Sequence, residues 1–507
     1  MSRKRILLWV AGLLCLLYMF GGVYLYVLSK YYNNGGMIGS IVTKVTDKTI
    51  SYEKAVSYSG YYIIRIKESK PTFRFILSGR DISYNDSIIT MVSSKKTFEP
   101  QFKKWRKAKL VYNDEVYKIK YKFHGQDPKP YKNGHISLRV KSKRPIIGRR
   151  DFRLITGYEM NYTNVFLNSI AGEYDLIHED AGLIVSARFG NIEEDFYMYE
   201  SLEKSYYDRV YGSEMLYKFS PKGDFHTNSH SDPIDKYYYA LDNSISTTDD
   251  RIKLGFVKYM DIRNGTAEFN ADEQQYLGDY LSLVYLFGHP HQITGDNDKW
   301  LLDDNILLPI FRNEGWIIFH DPARNVYDQS LFDIYLPDSP NTMAYKYLVK
   351  DDRIRQFRNE NLYQLTLSRD KILLSYDSLF IKYRDITRTY NQDYLRISLK
   401  HNIQKDNISK SLDGIIQYLN INEVHLLHMQ DTIRLVSDSY VRMELIVNGV
   451  SYGEIEPREY QIDNDILLPH IREHTIPFSG KINKISIVNT VTGDTLAESA
   501  IGFIDVN

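Results

Sequence analysis

Val116-Tyr-Lys-Ile-Lys-Tyr-Lys-Phe123 alternates apolar and basic residues with a strict period of two. Successive side chains of a strand point to opposite faces, so the segment reads as a strand with one apolar and one basic face. Tyr61-Tyr-Ile-Ile-Arg-Ile-Lys67 upstream and Ile136-Ser-Leu-Arg-Val-Lys141 downstream belong to the same class, the latter following a Pro/Gly-rich turn region. Arg139 and Lys141 share a parity and therefore one sheet face. A solvated surface and a shared ligand contact are both open for that pair.

Outward from these strands the pattern changes. Tyr162 to Tyr174 carries Val165, Phe166, Ile170 and Ala171 at helical spacing, with Asn161 or Thr163 as the cap. Gly182–Arg188 and Asp195–Tyr199 flank Gly190-Asn191 and predict a hairpin. Asp272 to Phe287 is helical, capped by Asp272 with Glu273 in its first turn. Two apolar runs follow, Trp300-Leu-Leu and Gly315-Trp-Ile-Ile-Phe319, and residues 341–418 are mostly helical. The stretch 430–507 returns to short alternating strands around Asn448-Gly449 and predicts a small β-sandwich.

The N-terminus reads differently from everything after it. Arg3, Lys4 and Arg5 precede a run from Ile6 to Leu28 interrupted only by glycines and tyrosines. As a helix this run spans roughly the 30 Å of a bilayer core. It is too long for a signal-peptide core and lacks a small-residue cleavage pattern, so it predicts an uncleaved single-pass anchor. The basic tail orients it with the N-terminus cytoplasmic and the remainder periplasmic or extracellular. The single cysteine, Cys15, lies inside this run, so the exported part has no disulfide and depends on burial. Lysine plus arginine and aspartate plus glutamate stand at 64 each, a balance that offers no global field for nucleic acid.

The common catalytic signatures are missing: no G-x-S-x-G, no H-E-x-x-H, no Walker loop and no Gly-rich kinase loop. Polar density instead gathers in Gly288-His-Pro-His-Gln-Ile-Thr-Gly-Asp-Asn-Asp-Lys299 and in His320-Asp321 after the run Trp316–Phe319. A strand-end carboxylate facing an amide and a carboxylate in a preceding loop suits Mg²⁺, which takes oxygen ligands and leaves room for phosphates. An Asx-rich turn at Asp296, Asn297 and Asp298, with Asp321 as a cap, is the alternative.

In order along the chain, several segments resemble the spore-coat protein H (CotH) kinase-like family. They are Tyr117–Gly125, His135–Lys141, Gly148–Ile155, Asn164–Leu176, Asp195–Glu200, the loop His291–Asn297 and the strand end Ile318–Asp321. The resemblance implies an α+β, atypical protein-kinase-like fold. With the readings above, the chain divides into a cytoplasmic tail and transmembrane anchor over 1–30, a β-rich region over 38–110, the kinase-like domain that the resemblance implies over 111–425 and the β-sandwich over 430–507. The resemblance further implies Asn297 and Asp321 as the ligands of Mg²⁺ or Mn²⁺, with ATP as phosphoryl donor. Arg139 and Lys141 would face the nucleotide phosphates, and Glu200 would orient one of them. His291, Asp296 and Asp298 are the candidates for the catalytic position. The chain departs from the family at His124, where an arginine is usual, and around His135, where a basic residue is replaced.

The expected function is therefore a membrane-anchored extracytoplasmic kinase acting on serine or threonine of an envelope protein. A non-catalytic envelope-assembly protein binding polysaccharide or protein is the alternative. A glycoside-active enzyme using Asp296 and Asp321 ranks third.

Overall fold

The computed structural model describes residues 71–506, apart from 96–99, 125–130, 132–134, 156–161, 201–205, 207–208, 212–216, 220–237, 241–249, 288–299, 304–305, 312–341, 392–393, 421, 430, 464–465 and 497–500. The chain divides into two compact units. The first comprises residues 1–165, 182–200 and 374–406, and the second 166–181, 201–373 and 407–507.

The first unit is built on seven strands: β1 (Thr72–Ile76), β2 (Arg106–Tyr112), β3 (Glu115–Phe123), β4 (Leu138–Ile146), β5 (Arg149–Ile155), β6 (Leu183–Phe189) and β7 (Ile192–Glu200). They form a closed barrel in the order β1-β2-β3-β4-β5-β7-β6. Neighbours pair antiparallel except at the seam, where β1 pairs with β6 in parallel through Thr72–Ser186, Phe73–Ala187 and Arg74–Arg188. The alternation read from the sequence builds this wall. Phe73, Tyr121, Val140, Phe152, Val185 and Phe196 turn inward and are fully buried. Asn113 and Asp114 both take positive φ, 48° and 61°, and make the tight β2–β3 turn. Helix α1 (Gly79–Lys95) adds Ile88 and Val92 to the barrel core. Its Asn85 Nδ2 donates to the Tyr121 hydroxyl at 3.0 Å.

This architecture corrects the expected kinase-like fold. The parallel β1–β6 pairing closes the sheet on itself, so its inner face is a filled hydrophobic core. Within the described part of the region 38–110, α1 lies between β1 and β2. The strand expected at Tyr61–Lys67 and the anchor expected at residues 1–30 lie outside the described residues. Among the described residues, no helix is long and apolar enough to cross a membrane.

Three helices contribute segments to the first unit: the start of α2 (Tyr162–Glu173) and parts of two long helices, Arg369–Asn391 and Tyr394–Leu419. Their meeting point is a buried polar network around His401. Its ring stacks on Phe380 at 4.0 Å and on Tyr376 at 4.7 Å. Nε2–H donates to Asp377 at 2.9 Å, which leaves Nδ1 to accept from the Tyr162 hydroxyl at 3.1 Å. Lys405 completes the array on the other Asp377 oxygen at 2.5 Å. Burial first, with the nearby Lys405 charge adding to it, outweighs Asp377 and holds the His401 pKa below the ordinary histidine value.

The second unit combines helices with C-terminal strands and with a four-stranded sheet made of Tyr217–Phe219, Tyr238–Ala240, Trp300–Asp303 and Ile306–Pro309. The helix Ala271–Phe287 begins in a reciprocal cap. Asn270 Oδ1 accepts from the Glu273 N–H, and Glu273 Oε2 accepts from the Asn270 N–H, both at 2.9 Å. The cap is thus Asn270, two residues before the Asp272 expected from sequence. Gly278 lets this helix approach the helix Asp352–Leu367 closely; a Cβ there would stand 2.5 Å from Phe357 Cβ and 2.8 Å from the Arg358 nitrogen.

Residues 422–506 form two four-stranded sheets and one hairpin. They are tied to the helix Asp352–Leu367 through buried and half-buried polar groups. Arg355 donates to the Arg458 carbonyl at 3.1 Å, Arg472 pairs with Asp352 at 2.8 Å, and Asn359 donates to the Tyr440 carbonyl at 3.1 Å.

Candidate anion-binding site

Strand register brings the outward residues of the barrel into rows. Lys122 on β3 lies opposite Arg139 on β4, and Arg139 opposite Arg153 on β5. One row away, Lys120 faces Lys141, and Lys141 faces Asp151. Arg139 clamps Asp151 bidentately, Nε on Oδ1 at 2.8 Å and Nη2 on Oδ2 at 2.7 Å. Lys141 Nζ reaches the same Oδ2 at 2.8 Å. The shared parity of Arg139 and Lys141 thus becomes a shared carboxylate, and the bidentate fork fixes the guanidinium plane.

Trp105, immediately before β2, remains 38% exposed beside these cations. Lys122 Nζ lies 4.9 Å from its ring centroid, Lys141 Nζ 5.5 Å and the Arg139 guanidinium carbon 5.9 Å. Such distances are within the range of cation–π attraction.

The titrating groups register the field of this cluster. Burial pushes the Asp151 carboxyl up, but the Arg139 hydrogen bonds and charge, with Lys141, more than offset it and hold the pKa below the ordinary value. Burial, then repulsion from Arg139, Lys141 and Lys103, draws Lys122 below the ordinary ammonium value. His124, just past β3, is driven well below the ordinary histidine value by burial and then by Arg153, Arg139, Lys103 and Lys122. The arrangement can hold an anion against an aromatic face. Arg153, in the same row as Arg139, donates from Nη1 to the Tyr199 hydroxyl at 2.8 Å.

Glu200 takes a different position. It lies opposite Phe152 in the row that continues through Val140 and Tyr121, the inward face of the barrel. It is 1% exposed, and its carboxylate accepts the Arg150 N–H at 3.5 Å. Asp151 is the carboxylate that meets both Arg139 and Lys141. His291, Asp296, Asn297, Asp298 and Asp321 lie outside the described residues. Among the described residues, no group of three or more histidine, cysteine, aspartate or glutamate side chains gathers as a metal site.

Asp151, Trp105, Lys122 and Arg153 were not legible as site residues. Parity within one strand is a sequence property, but the register that sets Lys122 beside Arg139 and Lys141 beside Asp151 is not. A scan against protein-family models finds no match to this chain, and a search of curated proteins finds none either.

Proposed function

We propose that the Trp105–Lys122–Arg139–Lys141 face receives phosphate groups, and that the protein transfers phosphate from ATP to serine or threonine of an envelope protein. The observation carrying this reading is the pair Arg139 and Lys141, preorganised by one carboxylate on the wall of a rigid barrel. Positioning and charge neutralisation are most of what a protein supplies to phosphoryl transfer. Asn297 and Asp321 would hold Mg²⁺ or Mn²⁺, which neutralises phosphate oxygens when bound. His291, Asp296 or Asp298 would accept the hydroxyl proton. These assignments come from the resemblance to the spore-coat protein H family and from no kinase architecture. The apolar run at residues 6–28 would hold the protein at a membrane, with the barrel on the extracytoplasmic side.

A second reading, a non-catalytic assembly protein that binds an anionic polysaccharide, is favoured by the exposed Trp105 ring. An aromatic face bordered by cations suits a charged sugar as well as a nucleotide.

Calorimetry of the full chain in detergent with Mg·ATP separates the two. Wild type should bind, Arg139→Ala/Lys141→Ala should bind about tenfold more weakly or worse, and Asp321→Ala should lose the Mg²⁺ dependence while keeping its melting temperature. If wild type binds no nucleotide with either metal, the phosphotransfer reading fails and the assembly reading replaces it.

A further inference from the structure

The outward positions of β2, β3 and β4 carry more charge than the candidate site needs. They hold Lys107 and Lys109 on β2, Lys118, Lys120 and Lys122 on β3, and Arg139, Lys141 and Lys143 on β4. The remaining outward positions are Val111, Val116 and Pro145, so no carboxylate sits among them. Four like-charged pairs stand directly opposite: Lys107–Lys120, Lys109–Lys118, Lys120–Lys141 and Lys122–Arg139. Like charges facing each other across a sheet destabilise it. The chain is balanced at 64 basic and 64 acidic residues, so this wall is a local segregation of charge. Among the described residues, Lys107, Lys109, Lys118 and Lys120 have no carboxylate partner.

We infer that the outer wall of β2, β3 and β4 docks against the anionic headgroups of a phospholipid bilayer. Three observations select a bilayer over a soluble polyanion. Seven of the eight cations are lysines, compact charges without the bidentate fork that reads a defined phosphate geometry. Large apolar side chains stand exposed on the same wall: Trp105 at 38%, Val116 at 49% and Ile76 at 44%, the last directly opposite Lys109. Lysines mixed with exposed aromatic and aliphatic side chains are the composition of membrane-interfacial surfaces. Finally, the same chain carries the apolar run at residues 6–28, which keeps a bilayer in its company. Lys107, Lys109, Lys118 and Lys120 are not assigned to phosphates of ATP, whereas Trp105, Lys122, Arg139 and Lys141 are common to both surfaces, so a docked bilayer and a bound nucleotide would compete for them.

The test uses the full chain reconstituted in nanodiscs, with Cys15→Ser and a fluorophore on Val116→Cys. Quenching by headgroup-labelled lipid reports the approach of the wall to the bilayer. It should be strong in discs containing phosphatidylglycerol, weak in phosphatidylcholine alone, and abolished by 0.5 M NaCl. Lys107→Gln/Lys109→Gln/Lys118→Gln/Lys120→Gln should lower the docking constant roughly a hundredfold or more, with a melting temperature no lower than wild type because opposed like charges are gone. In detergent, where no bilayer competes, the quadruple variant should still bind Mg·ATP as wild type does, so loss of docking and loss of nucleotide binding are read separately. Equal quenching in the two lipids, or salt-insensitive quenching in wild type, overturns the inference without recourse to any variant. So does a wall that binds inorganic polyphosphate or a single-stranded oligonucleotide from solution while ignoring phosphatidylglycerol; that result assigns it to a soluble polyanion.

Discussion

Replacing Asp151 by asparagine keeps the side-chain volume and removes the carboxylate that Arg139 and Lys141 share. Asp151 is 9% exposed at its side chain, Arg139 15% and Lys141 47%. The Lys141 contact is half in water and contributes only about 0–1 kcal/mol. The Arg139 fork is largely dry, and hydrogen bonds to charged groups at such sites contribute about 1.5–3 kcal/mol. Removing the anion also strengthens the mutual repulsion of Lys122, Arg139 and Lys141. The expected loss is about 2–4 kcal/mol, short of the upper range for a fully buried pair because Lys141 stays hydrated. A single global unfolding transition is not assumed for a chain of two units, so the readout is amide hydrogen exchange on β3, β4 and β5. Protection there should fall in Asp151→Asn at low ionic strength and recover in part at 1 M salt, where the screening length is about 3 Å. Adding Arg139→Leu to Asp151→Asn should restore protection beyond the single variant, since it removes a cation that repels Lys122 and Lys141. Protection within about 0.5 kcal/mol of wild type at low salt would refute the assignment of Asp151 as the organiser of this face.

Acid should destabilise the protein from about pH 6.5 downward, because His401, His124 and His178 all have folded pKa values below the ordinary one. In that window the unfolded chain binds more protons, so stability rises with pH; Asp377 and Asp151, also depressed, extend the loss to lower pH. Urea midpoints at pH 7.5 and 5.5 should show this, with His401→Gln narrowing the difference, and equal midpoints would contradict it. Gly278→Ala gains about 1 kcal/mol of helix propensity but drives a methyl into Phe357 and the Arg358 backbone. The net should be a loss of roughly 1–3 kcal/mol, read as reduced exchange protection in both helices, whereas a stabilised variant would mean the helices can separate without cost.

The elements that could be read from sequence are those whose pattern is local. The hairpin at Gly190-Asn191, the helix from Tyr162 and the strand Val116–Phe123 each carry their own periodicity, cap or turn, and the structure places an element at each. Helix α1 falls in the region expected to be β-rich, and its apolar residues, Ile88 and Val92 among them, find their partners only in the barrel core. The cap at Asn270 was read two residues late for a similar reason. Asp272 also fits a first turn, and only the reciprocal bonds with Glu273 decide between them.

What the sequence determined by itself was a set of faces: Arg139 with Lys141 on one side of β4, and on β3 Lys118, Lys120 and Lys122 on one side with Ile119, Tyr121 and Phe123 on the other. Those follow from the period of two, which no tertiary context alters. Tertiary structure decided what each face meets. Closure of β1 onto β6 turned the sheet into a barrel and made its inner face a core. Registers across β3, β4, β5 and β7 set Asp151 between Arg139 and Lys141 and turned Glu200 inward beside Phe152. Pairing between strands distant in sequence is chosen by burial summed over the whole barrel, and no window of residues contains that sum.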